Sequence, residues 1–225
     1  MSTTTISFCS HCHTCKSHVA DINRMSTRQS DPSTPFTTVS VDIWGPIAVS
    51  AIGGYSWVLK TACHTTSYVM ASRMRSKDES SRCFETFLTK IRSFGHTILN
   101  VRVDNDSVLI SRSFQDICLK WKINIERTAP YAHFKLARIE RQWRTLREMV
   151  ACMLSYSGLP VQYWGYAFLA AVYIRNRIWS QGSRTIPYLA VTRHNLDLSN
   201  LRIFGNPTFV HIDQSLRKKF DKTAW

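Results

Sequence analysis

The stretch "VSVDIWGPI" at positions 39–47 places a carboxylate, Asp42, inside a run that otherwise has the composition of a buried strand. β-branched and aromatic residues favour strands, so this stretch is predicted to be a strand. The Gly-Pro pair at 45–46 predicts a turn directly after it. A buried carboxylate without a partner costs several kcal/mol. The chain must therefore pair Asp42, neutralise it or give it a cation, so its partner indicates which elements surround this strand.

Two further strand-like runs follow, at 55–65 and 67–74, and the three together predict an antiparallel meander. Positions 78–95 have apolar residues at helical spacing, which predicts an amphipathic helix with Ser80 as its N-cap and Gly95 at its end. Strand character then alternates with helix character: a strand at 97–105, a helix at 112–122 and a strand at 123–128. Such alternation is typical of parallel crossovers, so we predict an α/β fold with a mixed five-stranded sheet flanked by helices.

The last third is predicted to be helical. One helix starts near Ala137 and closes at "SGLP", 157–160, and another begins at Val161. A Ser/Thr/Pro-containing linker at 30–38 predicts a boundary, which gives a segment at 1–31, a core at 32–192 and a truncated extension at 193–225.

The charge is strongly unbalanced. Lys and Arg total 29 against 15 Asp and Glu, which gives a formal net charge of +14. An excess spread along the whole chain favours a polyanionic partner, most simply nucleic acid, although an ordinary basic soluble protein is an alternative.

The seven cysteines do not form the pattern of a disulfide framework. Four of them stand singly in apolar stretches, which favours reduced core cysteines and an intracellular compartment. The most apolar stretch, 161–174, is shorter than the roughly 20 residues that a membrane span needs, so no membrane partner is expected.

Three carboxylates stand out by position. Asp42 lies in the first strand, Asp104 follows the fourth, and Glu140 opens the amphipathic helix. If the two strands are neighbours and the helix crosses them, the three can bind Mg²⁺ or Mn²⁺, so we expect Asp42 to face a metal. The alternative is structural: Asp104 caps a turn, and Glu140 pairs with Arg144.

Several segments, in order, resemble the integrase region of copia-type retrotransposon polyproteins. They are "VDIWGP" (41–46), "SKDES" (76–80), "VRVDN" (101–105), "TAPYA" (128–132), "ERQWRTLREM" (140–149), "LPVQYWGYAF" (159–168), "YIRNR" (173–177) and "LRIFGNPTFVHI" (201–212). The separation of Asp104 and Glu140 by thirty-five residues is part of this resemblance.

The resemblance implies a ribonuclease H-like catalytic core in which Asp42, Asp104 and Glu140 bind Mg²⁺ or Mn²⁺. It also implies 3′ end processing of element DNA and strand transfer into target DNA, by a homo-oligomer acting in the nucleus. The N-terminal "CSHCHTCK" at 9–16 resembles half of the zinc module that precedes such cores. Cys9 and Cys12 would be its thiolate ligands and Lys16 its basic residue, while His11, His13, Cys15 or His18 could complete the four ligands that structural zinc takes.

DNA contacts are predicted along the amphipathic helix, where Arg138, Arg141, Arg144 and Arg147 recur at three-residue steps and Lys135 precedes them. Successive steps of three drift around a helix, so these side chains cannot all point one way. The alternative is a solvated basic face with Trp143 turned into the core.

Two segments depart from the family pattern. Residues 106–109 replace a Gly-containing turn and add a carboxylate, Asp106, and residues 132–140 replace a segment that contains an Asn-Gly pair. Three hypotheses remain: a polynucleotidyl transferase core with its metal triad, an inactive transposon-derived remnant that binds nucleic acid nonspecifically, and an unrelated DNA-binding protein.

Overall fold

The computed structural model describes residues 9–16, 34–104, 108–109, 111–127, 133–208, 210–218 and 222, with the backbone alone for 13, 16 and 133–139. The strands are β1 (Thr38–Trp44), β2 (Trp57–Cys63), β3 (Val69–Met74), β4 (Asn100–Val103) and β5 (Asn124–Arg127). The helices are α1 (Ser10–Lys16), α2 (Ser80–Ser93), α3 (Arg112–Lys120), α4 (His133–Ser157), α5 (Trp164–Arg177) and α6 (Pro187–Thr192).

The five strands form one sheet in the order β3-β2-β1-β4-β5. β1, β2 and β3 pair antiparallel, whereas β4 runs parallel to β1, and β5 runs parallel to β4. The predicted mixed five-stranded α/β sheet is therefore confirmed, with the meander and the two parallel additions meeting at the central strand β1.

Alternation along β1 separates two hydrophobic layers. Val39 and Val41 join one cluster with residues of α2 and α3, including Phe84 and Phe114. The opposite face of the sheet packs against α4 and α5 through a second cluster. Its members include Ala51, Val58, Ala62, Trp143, Leu146, Trp164 and Phe168. Asp42, which lies between Val41 and Ile43, therefore points to the face covered by α4 and α5.

Several predicted element boundaries need correction. Ser80 is the first residue of α2 rather than its N-cap, because a 3-10 turn over Lys77–Glu79 leads into the helix. α4 begins at His133, four residues before the predicted start, so part of the altered segment at 132–140 is helical. Residues 161–163 form a 3-10 turn, and α5 proper begins at Trp164.

Two other predictions concern cysteine and membranes. The seven cysteines, all within the described ranges, are free thiols, and Cys63, Cys118 and Cys152 are buried. Helices within those ranges lack the length and apolar content that crossing a bilayer requires. The predicted boundary at residues 31 and 32 lies outside the described residues.

Asn176 of α5 closes the outer edge of β3. Its Oδ1 accepts a hydrogen bond from the Val69 N–H at 2.9 Å, and its Nδ2 donates to the Val69 carbonyl at 2.7 Å. The side chain is buried, and its amide pairs with Val69 as the backbone groups of a neighbouring strand would. An edge strand presents unpaired backbone groups, so Asn176 both satisfies Val69 and anchors α5 to the sheet.

We predict that Asn176→Ala lowers the free energy of unfolding by roughly 2–4 kcal/mol, because two buried backbone groups lose their partners. Denaturant unfolding of the purified chain measures this change. Asn195→Ala, at an exposed position, is the matched control and should change stability by less than about 0.5 kcal/mol. Equal effects of the two substitutions would contradict the assigned role of Asn176.

Candidate active site around Asp42

The register of β1 and β4 places Asp42 beside Asp104. Val41 pairs with Val103 in the parallel ladder, and Asp42 and Asp104 are the next residues along their strands. Parallel neighbours in register project side chains to the same face. The predicted adjacency of the first and fourth strands is therefore present, and Asp104 is the exposed residue directly after β4.

Both carboxylate oxygens of Asp42 accept hydrogen bonds within the protein. Oδ2 accepts from the indole Nε1 of Trp143 on α4 at 2.5 Å, and Oδ1 accepts from the backbone N–H of Ile43 at 2.9 Å. Trp143 is 8% exposed. A hydrogen bond from a buried donor to a carboxylate is among the stronger protein hydrogen bonds, so this contact fixes α4 over the centre of the sheet.

Lys60 of β2 is the antiparallel register partner of Asp42. It is 0% exposed, and its Nζ lies 4.4 Å from the centre of the Trp143 ring, in a cation–π contact. Burial lowers the pKa of Lys60 from 10.5 to about 7, and the attraction of the Asp42 carboxylate acts in the opposite direction. The amine of Lys60, the carboxylate of Asp42 and the indole of Trp143 therefore lie together under α4, and we call these three side chains the Asp42 cluster.

Aromatic rings enclose the Asp42 cluster. Trp44 lies 5.7 Å from Trp143 and 6.2 Å from Phe168, and Trp143 lies 5.8 Å from Phe168, as distances between ring centres. Aromatic packing of this kind contributes apolar burial and leaves little water near the charged groups. The electrostatic interactions in the cluster are therefore stronger than they would be at the surface.

Glu140 and the predicted DNA-contacting residues lie on α4. Glu140 is exposed and lies one helical turn before Trp143, so it approaches the same end of the helix as the indole that contacts Asp42. Arg141 and Arg144 are also exposed, whereas Trp143 is turned into the core. The side chains of Lys135 and Arg138 lie outside the described residues.

The Asp42 carboxylate is engaged by donors of the protein itself. Mg²⁺ and Mn²⁺ need carboxylate oxygens that face the ion, but the Asp42 oxygens accept from Trp143 and Ile43, and the amine of Lys60 approaches from β2. In the part of the chain that the structure describes, no three His, Cys, Asp or Glu side chains are grouped as metal ligands. The expectation that Asp42 faces a metal stays a prediction, and among the described residues its carboxylate contacts Trp143. Asp106 lies outside the described residues.

The N-terminal helix α1 packs against α4. The His11 ring Nδ1 lies 2.8 Å from the Ser155 Oγ, and the Cys152 thiol donates to the His11 carbonyl at 3.7 Å. At the start of α1, the Cys12 N–H donates to the Cys9 Sγ at 3.5 Å, which brings the two predicted zinc thiolates together. The side chain of His13 and the whole of His18 lie outside the described residues, so zinc binding stays a prediction.

Sequence reasoning missed Lys60 and the contact between Trp143 and Asp42. A signal for Lys60 exists, because it is the one charged residue in the strand "WVLKTAC" at 57–63. A lone charged residue in an apolar strand requires a partner of opposite charge or a polar site. Identifying that partner as Asp42 needs the pairing register of β1 and β2, which no local pattern specifies.

We predict that the free energy of unfolding rises between pH 7 and about 10.5 because of Lys60. In this window the unfolded chain keeps a proton that the folded chain has lost, since the folded pKa of about 7 lies below the unfolded value of 10.5. The slope from this one group cannot exceed about 1.4 kcal/mol per pH unit. Denaturant unfolding across this range measures it, and the rise should be smaller in Lys60→Met. An identical pH profile for both proteins would rule out a depressed pKa at Lys60.

The sequence is similar to integrase core domains and to transposon polyproteins. The integrase core domain family matches residues 32–133. The chain is 28% identical over 220 residues, 97% of its length, to the "Retrovirus-related Pol polyprotein from transposon TNT 1-94" of Nicotiana tabacum, and covers 16% of that polyprotein. It is also 26% identical over 171 residues to the RE2 Pol polyprotein of Arabidopsis thaliana and 27% identical over 180 residues to the Ty1-DR4 Gag-Pol polyprotein of Saccharomyces cerevisiae.

These alignments cover 76% and 79% of the chain, and 11% of each of those two polyproteins. The chain thus spans a small part of the length of these relatives. Integrase core domains are members of the polynucleotidyl transferase family, bind DNA and generally use divalent metal ions. The mixed five-stranded sheet with flanking helices is the ribonuclease H-like fold expected of them. Residues 32–133 therefore match the integrase core domain family, and the chain as a whole is similar to the integrase-containing Pol polyproteins of these transposons.

Proposed function

We propose that this chain acts as a DNA-binding integrase core in which the Asp42 carboxylate is paired within the protein and strand transfer does not occur. The observation that carries the proposal is the hydrogen bonding of both Asp42 oxygens, to Trp143 and to the Ile43 backbone. Each bond takes one acceptor site on its oxygen, and the proposal is that the Trp143 contact holds the carboxylate in an orientation unsuited to the transfer chemistry. The proposal corresponds to a transposon-derived remnant that retains the fold and the charge of an integrase.

The surface of α4 is the proposed DNA contact. Trp143 faces the sheet, and the exposed Arg141 and Arg144 on either side of it lie towards solvent. Exposed guanidinium groups are well suited to phosphate oxygens, and the formal charge of +14 adds a long-range attraction. Lys135 and Arg138 extend the proposed contact on the basis of sequence alone.

A second candidate function is 3′ end processing and strand transfer with Asp42, Asp104 and Glu140 as the acidic residues. The register that places Asp42 beside Asp104, together with Glu140 one turn before Trp143, supports this candidate. It requires Asp42 to act through the acceptor sites that the bonds from Trp143 and Ile43 leave open, or the bond from Trp143 to break. We rank it second because the hydrogen bond from Trp143 to Asp42 is formed in the structure.

The cellular context is also a proposal. Integration joins two element ends to chromosomal DNA, so we propose action in the nucleus by a homo-oligomer that holds both ends. Zinc at Cys9 and Cys12 would belong to the same assembly as a structural ion.

We predict that Arg141→Ala combined with Arg144→Ala weakens binding to duplex DNA and lowers its salt dependence. Each lost phosphate contact should reduce the slope of log affinity against log salt concentration by about 0.9. Fluorescence anisotropy at several salt concentrations measures the slope. The control is Arg92→Ala combined with Arg112→Ala, which removes two exposed arginines from the opposite layer. If both double variants bind equally weakly, the contact is general charge attraction and not the surface of α4.

We further predict that the purified chain, incubated with Mn²⁺ and a labelled duplex that carries a terminal-repeat end, forms no more joined product than its Asp104→Asn variant. Both proteins should bind the same duplex, which separates failure to join DNA from failure to bind it. The measurement is electrophoresis of the labelled products. Metal-dependent products that disappear in Asp104→Asn would reject our first proposal in favour of strand transfer.

A further inference from the structure

We propose that the Lys60 side chain is the resident cation of Asp42 and keeps divalent cations away from that carboxylate. This inference rests on the proposed function and extends it, because it names the residue that prevents metal binding. It makes Lys60 a positioning residue, whose replacement by a neutral side chain should open a cation site at Asp42.

The strand register brings Lys60 and Asp42 together. They are directly opposite each other in the antiparallel pair of β1 and β2. Side chains that are directly opposite in such a pair lie on one face of the sheet, with their Cβ atoms about 5 Å apart. Lys60 and Asp42 therefore project from neighbouring strands to the same face of the sheet, and the amine experiences the attraction of the carboxylate.

Trp143 holds both members of this pair. Its Nε1 donates to Asp42 Oδ2 at 2.5 Å, while the Lys60 Nζ lies over the same indole at 4.4 Å. One rigid side chain thus orients the carboxylate through its edge and contacts the amine through its face. The Asp42 cluster is enclosed by Trp44 and Phe168, so Lys60 cannot swing out to solvent without disrupting this packing.

The electrostatics oppose a second cation at the same carboxylate. Lys60 is 0% exposed, so its charge is poorly screened by solvent, and a divalent ion at Asp42 would meet a like charge from the adjacent strand. The ion would also have to displace the indole N–H from Oδ2. Methionine at position 60 has a similar volume without the charge, and it leaves the carboxylate needing a counter-ion.

The test is Mn²⁺ binding by the full chain without DNA, measured by electron paramagnetic resonance at pH 6.5. Lys60→Met should bind Mn²⁺ about tenfold or more tightly than the unsubstituted chain, since a buried like charge has been removed. Adding Asp42→Asn to Lys60→Met should abolish the gain, and Asp42→Asn alone should leave the Mn²⁺ affinity of the chain unchanged.

Two results would overturn the inference: a loss of Mn²⁺ affinity on Asp42→Asn in the otherwise unsubstituted chain, or equal affinities of the unsubstituted chain and a folded Lys60→Met. Thermal unfolding checks that each variant is folded, and Lys60→Gln provides a second neutral side chain if the methionine variant does not fold. Failure of the proposed function gives a different result, because it requires joined DNA products from the unsubstituted chain. Mn²⁺ binding at Asp42 without such products would reject the role of Lys60 and leave the DNA-binding proposal standing.

Discussion

The hydrogen bond from the Trp143 indole to the Asp42 carboxylate is the contact on which the rest of the site depends. Asp42 lies in the central strand, where an unpaired negative charge would cost several kcal/mol. The indole and the buried amine of Lys60 meet that charge from two different elements, α4 and β2. Helix, central strand and neighbouring strand are thus joined through one side chain, in addition to their apolar packing.

The same contact determines which side of α4 is available for nucleic acid. A helix turns by about 100° per residue, so burying Trp143 directs Arg141 and Arg144 away from the sheet. Both are exposed, as the structure shows. The two interpretations that sequence left open for this helix, a basic DNA-facing surface and an inward-facing Trp143, are therefore compatible. The indole stabilises the fold, and the arginines beside it form the proposed contact with DNA.

Much of the fold could be predicted because it is encoded locally. Period-two and helical patterns located the five strands and the main helices, and the alternation of elements after residue 97 predicted the parallel additions. The adjacency of Asp42 and Asp104 followed from that topology. The contacts of Asp42 could not be predicted in the same way, because Lys60 and Trp143 lie 18 and 101 residues away and reach it through strand register and helix placement. The early start of α4 at His133 was missed because residues 133–136 lack a clear apolar stripe.

The pairing of Asp42 with Lys60 also changes what the presence of Asp42 implies. An acidic residue at the position of a family's catalytic aspartate suggests catalysis only if no other constraint retains it. Here a second constraint exists, because removing one member of a buried charged pair typically costs about 3–5 kcal/mol, whereas exchanging both for apolar residues can cost little. With a lysine at position 60, a carboxylate at position 42 offsets part of the cost of burying the charged amine. Asp42 therefore has a structural role beside any catalytic one, and its presence alone does not distinguish a working transferase from a folded DNA-binding remnant. Asp104 and Glu140 are both exposed, so the burial of a charge does not account for either of them.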